Sequence, residues 1–234
     1  MRLNFSKEPP NTNDDPYPIS LVAVLHHDSA YPRSPWHSVS HPECISQQRE
    51  PIIRATKGRG YTVPCLIDGN TAVTDFTDFG QEVARYIDRK HKLGLFPRDK
   101  EGVQSILARY IENDLEMVGF KIDDSYIIPR LPLVDRLMLV RFKERKFGKG
   151  CVAQWTKDRA QLNRQFAVLL APLDNMLASS EFLVADRPLF VDYDLFGILG
   201  NYLYNGKTKL PPLKHLRRWH RTMSRPSGRI RPRR

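Results

Sequence analysis

The sequence predicts a small α/β unit over residues 1–90 followed by an all-α region over residues 101–224. Two observations carry that prediction. Between Lys57 and Lys90 a Gly-rich approach, Gly58 and Gly60, leads to two short runs, Val63 to Ile67 and Thr71 to Thr74, separated by Asp68-Gly69-Asn70. Runs of that length flanking a Gly-containing turn read as a β-hairpin. From Glu101 onward, apolar residues recur at three- and four-residue intervals, the period of buried helix faces.

Composition bounds the rest. With 234 residues, 41% of them hydrophobic and 10% aromatic, the chain is long enough for one large or two modest domains with real cores. Short apolar blocks such as Leu21 to Leu25 fall far below the roughly 18 residues of a membrane span. The opening MRLNFSKEPP lacks the apolar core of a secretory signal. Cys44, Cys65 and Cys151 are odd in number and widely spaced, which argues against a disulfide framework or a zinc site. The expectation is a cytoplasmic protein with no metal and no membrane partner. The net charge of +11 is uneven, because Lys214 to Arg234 holds one Lys and eight Arg with no acid, a contribution of +9. This is a basic tail on a near-neutral body.

In chain order, Met1 to Ser6 alternates weakly and reads as an opening strand, and Lys7 to Pro18, with four prolines, as loop. Ile19 to His27 fits a helix beginning after Pro18, with Ile19, Val22, Ala23 and His26 on one face. The same SLVAVL residues also fit a buried strand, and periodicity does not separate the two at this length. Tyr31 to Val39 reads as a second strand and Glu43 to Ala55 as a short helix interrupted at Pro51. After the hairpin, Phe79, Val83, Tyr86 and Ile87 mark a helix from Asp78, with Asp75, Thr77 and Asp78 supplying capping oxygens.

Residues 91–100, with Gly94 and Pro97 among charges, read as an interdomain linker. Val103, Ile106, Leu107, Tyr110, Ile111 and Leu115 then form a helical stripe. Pro129 and Pro132 break the next segment, and Val134 to Phe142 reads as a strongly apolar helix ending in the basic run Arg141 to Lys149. Gln154 to Leu177 reads as one long helix that Pro172 kinks. A further helix carries Leu195, Ile198, Leu199, Tyr202 and Leu203, with Gly197 and Gly200 allowing close packing. Leu213, Leu216, Trp219 and Met223 mark the last one, and residues 225–234 form a disordered basic tail.

Pro64 stands where it cannot donate to a ladder, a position tolerated at a strand start, edge or bulge. Val63-Pro64-Cys65-Leu66-Ile67-Asp68-Gly69, followed by an acidic turn and an amphipathic helix, resembles the second half of the thioredoxin-like domain of glutathione transferases. The stretch Phe182 to Leu195, FLVADRPLFVDYDL, is similar to the entry to the buried core helix of that family's all-helical C-terminal domain. There the family has a Ser or Thr cap with an Asp three residues on; here the Asp is Asp192 and the cap position holds Leu189, so Asp192 reads as a structural group. The two motifs fall in the family's order, and the resemblance spans residues 57–224.

The resemblance implies a thioredoxin-like domain over residues 1–90, atypical over 7–40, joined to an all-α domain. It implies a cis Pro64 with the Val63 backbone binding the cysteinyl part of glutathione. It also implies an acidic residue for the γ-glutamyl amine, Asp75, with Thr77 or Asp78 standing in for the family's Ser, because Phe76 follows Asp75. The thiol-activating group belongs in the loop after the opening strand, where a hydroxyl or amide at a helix N-terminus lowers the thiol pKa. Ser6 is the candidate, with Asn11, Thr12, Asn13 and Tyr17 as alternatives, and each is also an ordinary turn residue. The implied partners are glutathione, as substrate or ligand, a small hydrophobic electrophile, and a second copy in a homodimer. Tyr110 and Trp155 are candidate walls of the electrophile pocket, or core. The alternative is a non-catalytic binding module of the same fold. The Arg-rich tail adds a possible contact with nucleic acid or another acidic surface.

Overall fold

The computed structural model describes residues 20–22, 50–60, 64–68, 71–75 and 81–225. Within them a small antiparallel sheet precedes a larger body of helices. The sheet has strand order β1-β2-β3, with β1 at Ser20–Val22, β2 at Cys65–Asp68 and β3 at Thr71–Thr74. Ser20 pairs with Ile67 and Val22 with Cys65 on one side; Cys65 pairs with Thr74 and Asp68 with Thr71 on the other. The ambiguous SLV segment is therefore a strand, not the start of a helix: its backbone completes the free edge of β2. The proposed strands at Met1 to Ser6 and Tyr31 to Val39 lie outside the described residues.

Helix α1 is described over Glu50–Ala55 and runs through Pro51; residues 43–49 of the helix expected there lie outside the described residues. The chain leaves through left-handed Lys57 and Gly58, whose N–H donates to Ile53 O at 2.7 Å. Helix α2, Glu82–His91, is tied to the hairpin end of β2: Tyr86 Oη donates to Asp68 Oδ2 at 2.5 Å, and Lys90 pairs with the same oxygen.

Residues 93–96, read from sequence as part of a linker, are packed into the helical body. Leu95 is buried, Phe96 stacks on Phe190 with ring centroids 4.9 Å apart, and Arg187 donates to the carbonyls of Leu93 and Gly94. Buried Gln104 donates to Leu95 O at 3.1 Å and accepts from the Val191 N–H at 3.4 Å, joining this segment to the helices on both sides.

A long helical run follows: α3, Glu101–Arg109; a π-helical stretch, Tyr110–Leu115; and α4, Glu116–Ile127. Its buried face is Gln104, Leu107, Ala108, Ile111, Leu115, Val118 and Ile122, whereas Val103 and Ile106 of the predicted stripe are exposed. The reason is Gln104, whose amide is held inside by backbone partners and turns α3 so that Ile106 faces outward. Helix α5 spans Leu133–Phe147. The single helix expected over Gln154 to Leu177 is two, α6 at Cys151–Lys157 and α7 at Arg159–Met176, parted at Asp158, whose carboxylate accepts from Gln154 Nε2 at 2.9 Å. Helix α7 continues through Pro172, one turn after the exposed Val168. Proline has no N–H for the Val168 carbonyl, and Tyr110 Oη donates to the neighbouring Leu169 O at 2.6 Å.

Helices α8, Phe190–Tyr204, and α9, Lys214–Met223, close the core. Gly197 and Gly200 do not relieve tight packing, since a Cβ at either would meet nothing within 4 Å. The close approach is at Gly119 of α4, where a Cβ would lie 3.1 Å from Phe166 Cε2, in a ring that itself stacks on Tyr202 at 4.3 Å.

At the start of α8, buried Asp192 accepts from the Leu189 N–H at 3.0 Å, the Leu183 N–H at 3.0 Å and Trp219 Nε1 at 2.9 Å. Leu189 has no side-chain acceptor to return the bond, so the Asp192 N–H bonds the Leu189 carbonyl instead, at 3.0 Å. Burial raises the Asp192 carboxyl above its ordinary range, and the three donors pull it back toward ionisation. Asp192→Ala leaves those donors buried without a partner, at about 1–3 kcal/mol each before relaxation. We expect a loss of about 3 kcal/mol or more in urea unfolding, with Asp192→Asn, which retains one acceptor oxygen, losing less.

Candidate functional site

The register of the hairpin sets the geometry of the site. Cys65 pairs with Thr74, so Pro64, one residue before β2, stands across from Asp75, one residue after β3. Residues eleven positions apart thus flank one end of the sheet. Val22 pairs with Cys65, so the β1 end at Val22 lies at the same end of the sheet. Ser6, Asn11, Thr12, Asn13 and Tyr17 all precede β1 in sequence, and β1 begins at the opposite end of the sheet, where Ser20 pairs with Ile67. Those five residues lie outside the described residues, as do Val63, Thr77 and Asp78. Of the predicted site residues, Pro64 and Asp75 are described, and the hairpin brings them together.

Asp75 reaches across the gap to α2. Its Oδ1 accepts the Val83 N–H at 2.9 Å, so it satisfies an amide in the first turn of a helix whose own N-cap residue, Gln81, makes no side-chain cap bond. Burial pushes the Asp75 carboxyl up to about 6, against the backbone hydrogen bond from Val83 and reinforced by the side-chain contact with Glu82. The π-helical stretch supplies the next carboxyl: Glu112 is pushed up to about 7 by burial and by the negative charges of Glu116 and Asp75. Asp194 on α8 is raised well above its ordinary value, first by burial and then by Glu112 and Glu116. Glu116 is raised by burial as well, with Lys143 and Lys146 opposing.

The sheet end and the helical body therefore share an acidic field that runs from Asp75 through Glu112 and Glu116 to Asp194. Burial makes each of these carboxyls hold its proton more firmly than a solvated one, and a cation placed beside them would favour their ionisation. Sequence reasoning found Asp75 but missed Glu112 and Asp194. Glu112 sits on the polar side of a helical stripe, and only the π-helical geometry and the fold of α8 bring these groups into one another's field. No group of His, Cys, Asp and Glu among the described residues has the arrangement to hold a metal ion.

The other candidate groups have structural partners. Trp155 is buried and meets Phe120 and Phe147 edge-on at 5.8 and 5.5 Å, so it is core. Tyr110 donates to Leu169 O. Cys65, next to Pro64, is fully buried, and burial raises its thiol above the ordinary value, as it does for Cys151; neither is prepared as a thiolate.

No protein-family model matches the sequence, and no curated protein matches it.

The raised carboxyls give stability a definite pH dependence. Asp75 and Glu112 bind protons more tightly in the folded chain than in the unfolded one, so the stability they contribute is present below the ordinary carboxyl range. It is lost as pH rises through about 6 for Asp75 and about 7 for Glu112. The urea midpoint is expected to fall between about pH 5 and about pH 7.5, and Glu112→Gln to show a shallower fall.

Proposed function

We propose that this chain is a glutathione transferase-like protein whose sheet belongs to a thioredoxin-like domain and which binds glutathione at the sheet end flanked by Pro64 and Asp75. The observation that carries the reading is the hairpin register, which sets the proline before one strand opposite the acidic residue after the next. The order β1-β2-β3, all antiparallel, and the helix α2 that follows β3 suit that domain, and the Asp192 junction suits its helical partner. In this reading the Val63 backbone takes the cysteinyl part of the peptide. Asp75, beside Glu82 at the start of α2, attracts the γ-glutamyl ammonium. Thr77 or Asp78 supplies the second polar contact.

With the thiol held at that end of the sheet, a nearby hydroxyl or amide stabilises the thiolate. The sulfur lone pair forms the new bond to an electrophilic carbon, and the displaced electron pair leaves with the leaving group or is protonated after addition. The activating group belongs to the loop that follows the first strand of the domain. Ser6, Asn11, Thr12, Asn13 and Tyr17 fill that role if a strand at Met1 to Ser6 opens the domain. The segment after Val22 fills it if β1 does. A cytoplasmic homodimer completes the proposal.

A second reading, a non-catalytic module of the same fold, is favoured by one contact: the Asp75 carboxylate already serves the Val83 amide, and the Ser that usually shares the γ-glutamyl site is replaced by Phe76. Calorimetry and turnover separate the two. We expect glutathione to release or absorb measurable heat in the millimolar range or below, and Asp75→Ala to weaken binding about tenfold, the loss of one charge-assisted contact. Absence of any heat with folded protein would end both glutathione readings. Binding without conjugation of a chromogenic aryl halide would leave the non-catalytic module.

A further inference from the structure

Helix α5 packs by one side only. Leu139, Val140 and Phe147 lie against the core, and Lys143 crosses Phe120 at 4.4 Å while pairing with Asp124 at 2.6 Å. On its other side Leu133, Val134, Leu137, Met138 and Phe142 are between 47% and 59% exposed, and no residue of the helix is fully buried. Their spacing puts them in one stripe over more than two turns, too continuous to be scattered surface residues. The stripe continues toward the C-terminus as cations: Arg141, Arg145, Lys146 and, beyond the helix, Lys149 are all exposed. The two acids of α5 are turned inward. Asp135 and Glu144 are half-buried, and Glu144 Oε1 accepts the Gly150 N–H at 2.7 Å. Every exposed charged side chain of α5 is therefore positive.

We propose that α5 docks on an anionic lipid surface. The apolar stripe enters the boundary between headgroups and acyl chains, and Arg141, Arg145, Lys146 and Lys149 pair with lipid phosphates and carboxylates. A helix with an apolar face and cations as its only exposed charges is the chemistry that lies in such an interface. A second copy of the chain fits the face poorly. Two α5 helices paired antiparallel about Leu137 and Met138 would set Arg145 of each against Arg130 of the other, and would bury Arg141 on Val134. An anionic membrane meets both halves of the face at once. The sequence-based expectation of no membrane partner rested on the absence of a spanning segment; no helix among the described residues is long and apolar enough to cross a bilayer, and surface docking requires none. The Arg-rich end of the chain, whose cations would add to the same attraction, makes a second contact that the test must separate.

The test is flotation of the full chain with vesicles of phosphatidylcholine alone and of phosphatidylcholine with phosphatidylserine, near physiological salt. Three full-length variants are compared: Leu137→Gln/Met138→Gln/Phe142→Gln; Arg141→Glu/Arg145→Glu; and Arg229, Arg231, Arg233 and Arg234 all changed to Gln. Circular dichroism and urea unfolding establish that each is folded, which the exposure of these side chains favours. We expect binding to the phosphatidylserine vesicles only, reduced about tenfold or more by each α5 variant. The tail variant should reduce it less. No binding of the unaltered chain overturns the proposal, and so does binding that both α5 variants retain while the tail variant loses it. Sedimentation velocity gives a third outcome: a dimer that the α5 Gln variant converts to monomer would assign the face to a second copy instead.

Discussion

One buried carboxylate holds the helical body together. Asp192 is fully shielded from solvent, yet it accepts from two backbone amides and an indole that belong to three separate pieces of chain: the segment at Leu183, the start of α8 and the middle of α9. Burying a charge is costly unless its lone pairs are filled, and here each donor would in turn be unsatisfied without it. The arrangement is therefore cooperative. The apolar residues around it, Leu189, Leu195 and Trp219 among them, pack in register because the polar groups at their centre accept only one geometry. Leu189 contributes volume where a hydroxyl cap would contribute a hydrogen bond, and the first-turn amides of α8 find partners elsewhere: Phe190 on Leu95 O and Val191 on Gln104.

From that junction the constraint passes to the sheet. Phe190, at the first position of α8, stacks on Phe96, and Val191 binds Gln104, which also holds Leu95. Arg85 of α2 lies 4.3 Å over the Phe96 ring and pairs with Glu101 at 2.7 Å, so the helix that follows the hairpin is fixed to the same segment. The acidic field between Asp75 and Asp194 follows from this closeness. Burial raises each of these carboxyls, and neighbouring carboxylates raise Glu112 and Asp194 further. The π-helical stretch is where Glu112 enters that region, and such widened turns frequently mark functional positions. Asp75 has two consequences at once, since the oxygen that completes the first turn of α2 also contributes to the charge at the sheet end.

Helix α5 follows a different logic. Between Pro132 and Gly148 it adds a helix that the core does not fully cover, with its acids drawn inward and its cations left in solvent. A side chain as large as Phe142 half in water is unfavourable in an isolated chain, by about 1 kcal/mol or more relative to burial. The helix persists through the partial packing of Leu139, Val140 and Phe147 and the ion pair of Lys143 with Asp124.

The sequence by itself determined the elements whose signals are local. The hairpin followed from Asp68-Gly69 between short apolar runs, the helical region from its period, and the structural part played by Asp192 from its place in the FLVADRPLFVD stretch. Sequence also singled out Asp75 and Pro64, because their neighbours bear a pattern, and the hairpin register sets the two across from one another. It did not determine which way each helix faces: Ile106 and Val103 share the apolar period yet lie outside, because Gln104 is held inside by partners 87 and 9 residues away. Nor did it divide α6 from α7, or decide between strand and helix for Ser20–Val22, where the free edge of β2 settles a segment too short for its own pattern to do so. The acidic field and the uncovered side of α5 are tertiary facts for the same reason. Burial and charge proximity depend on which surfaces meet, and a linear pattern records only that a surface exists.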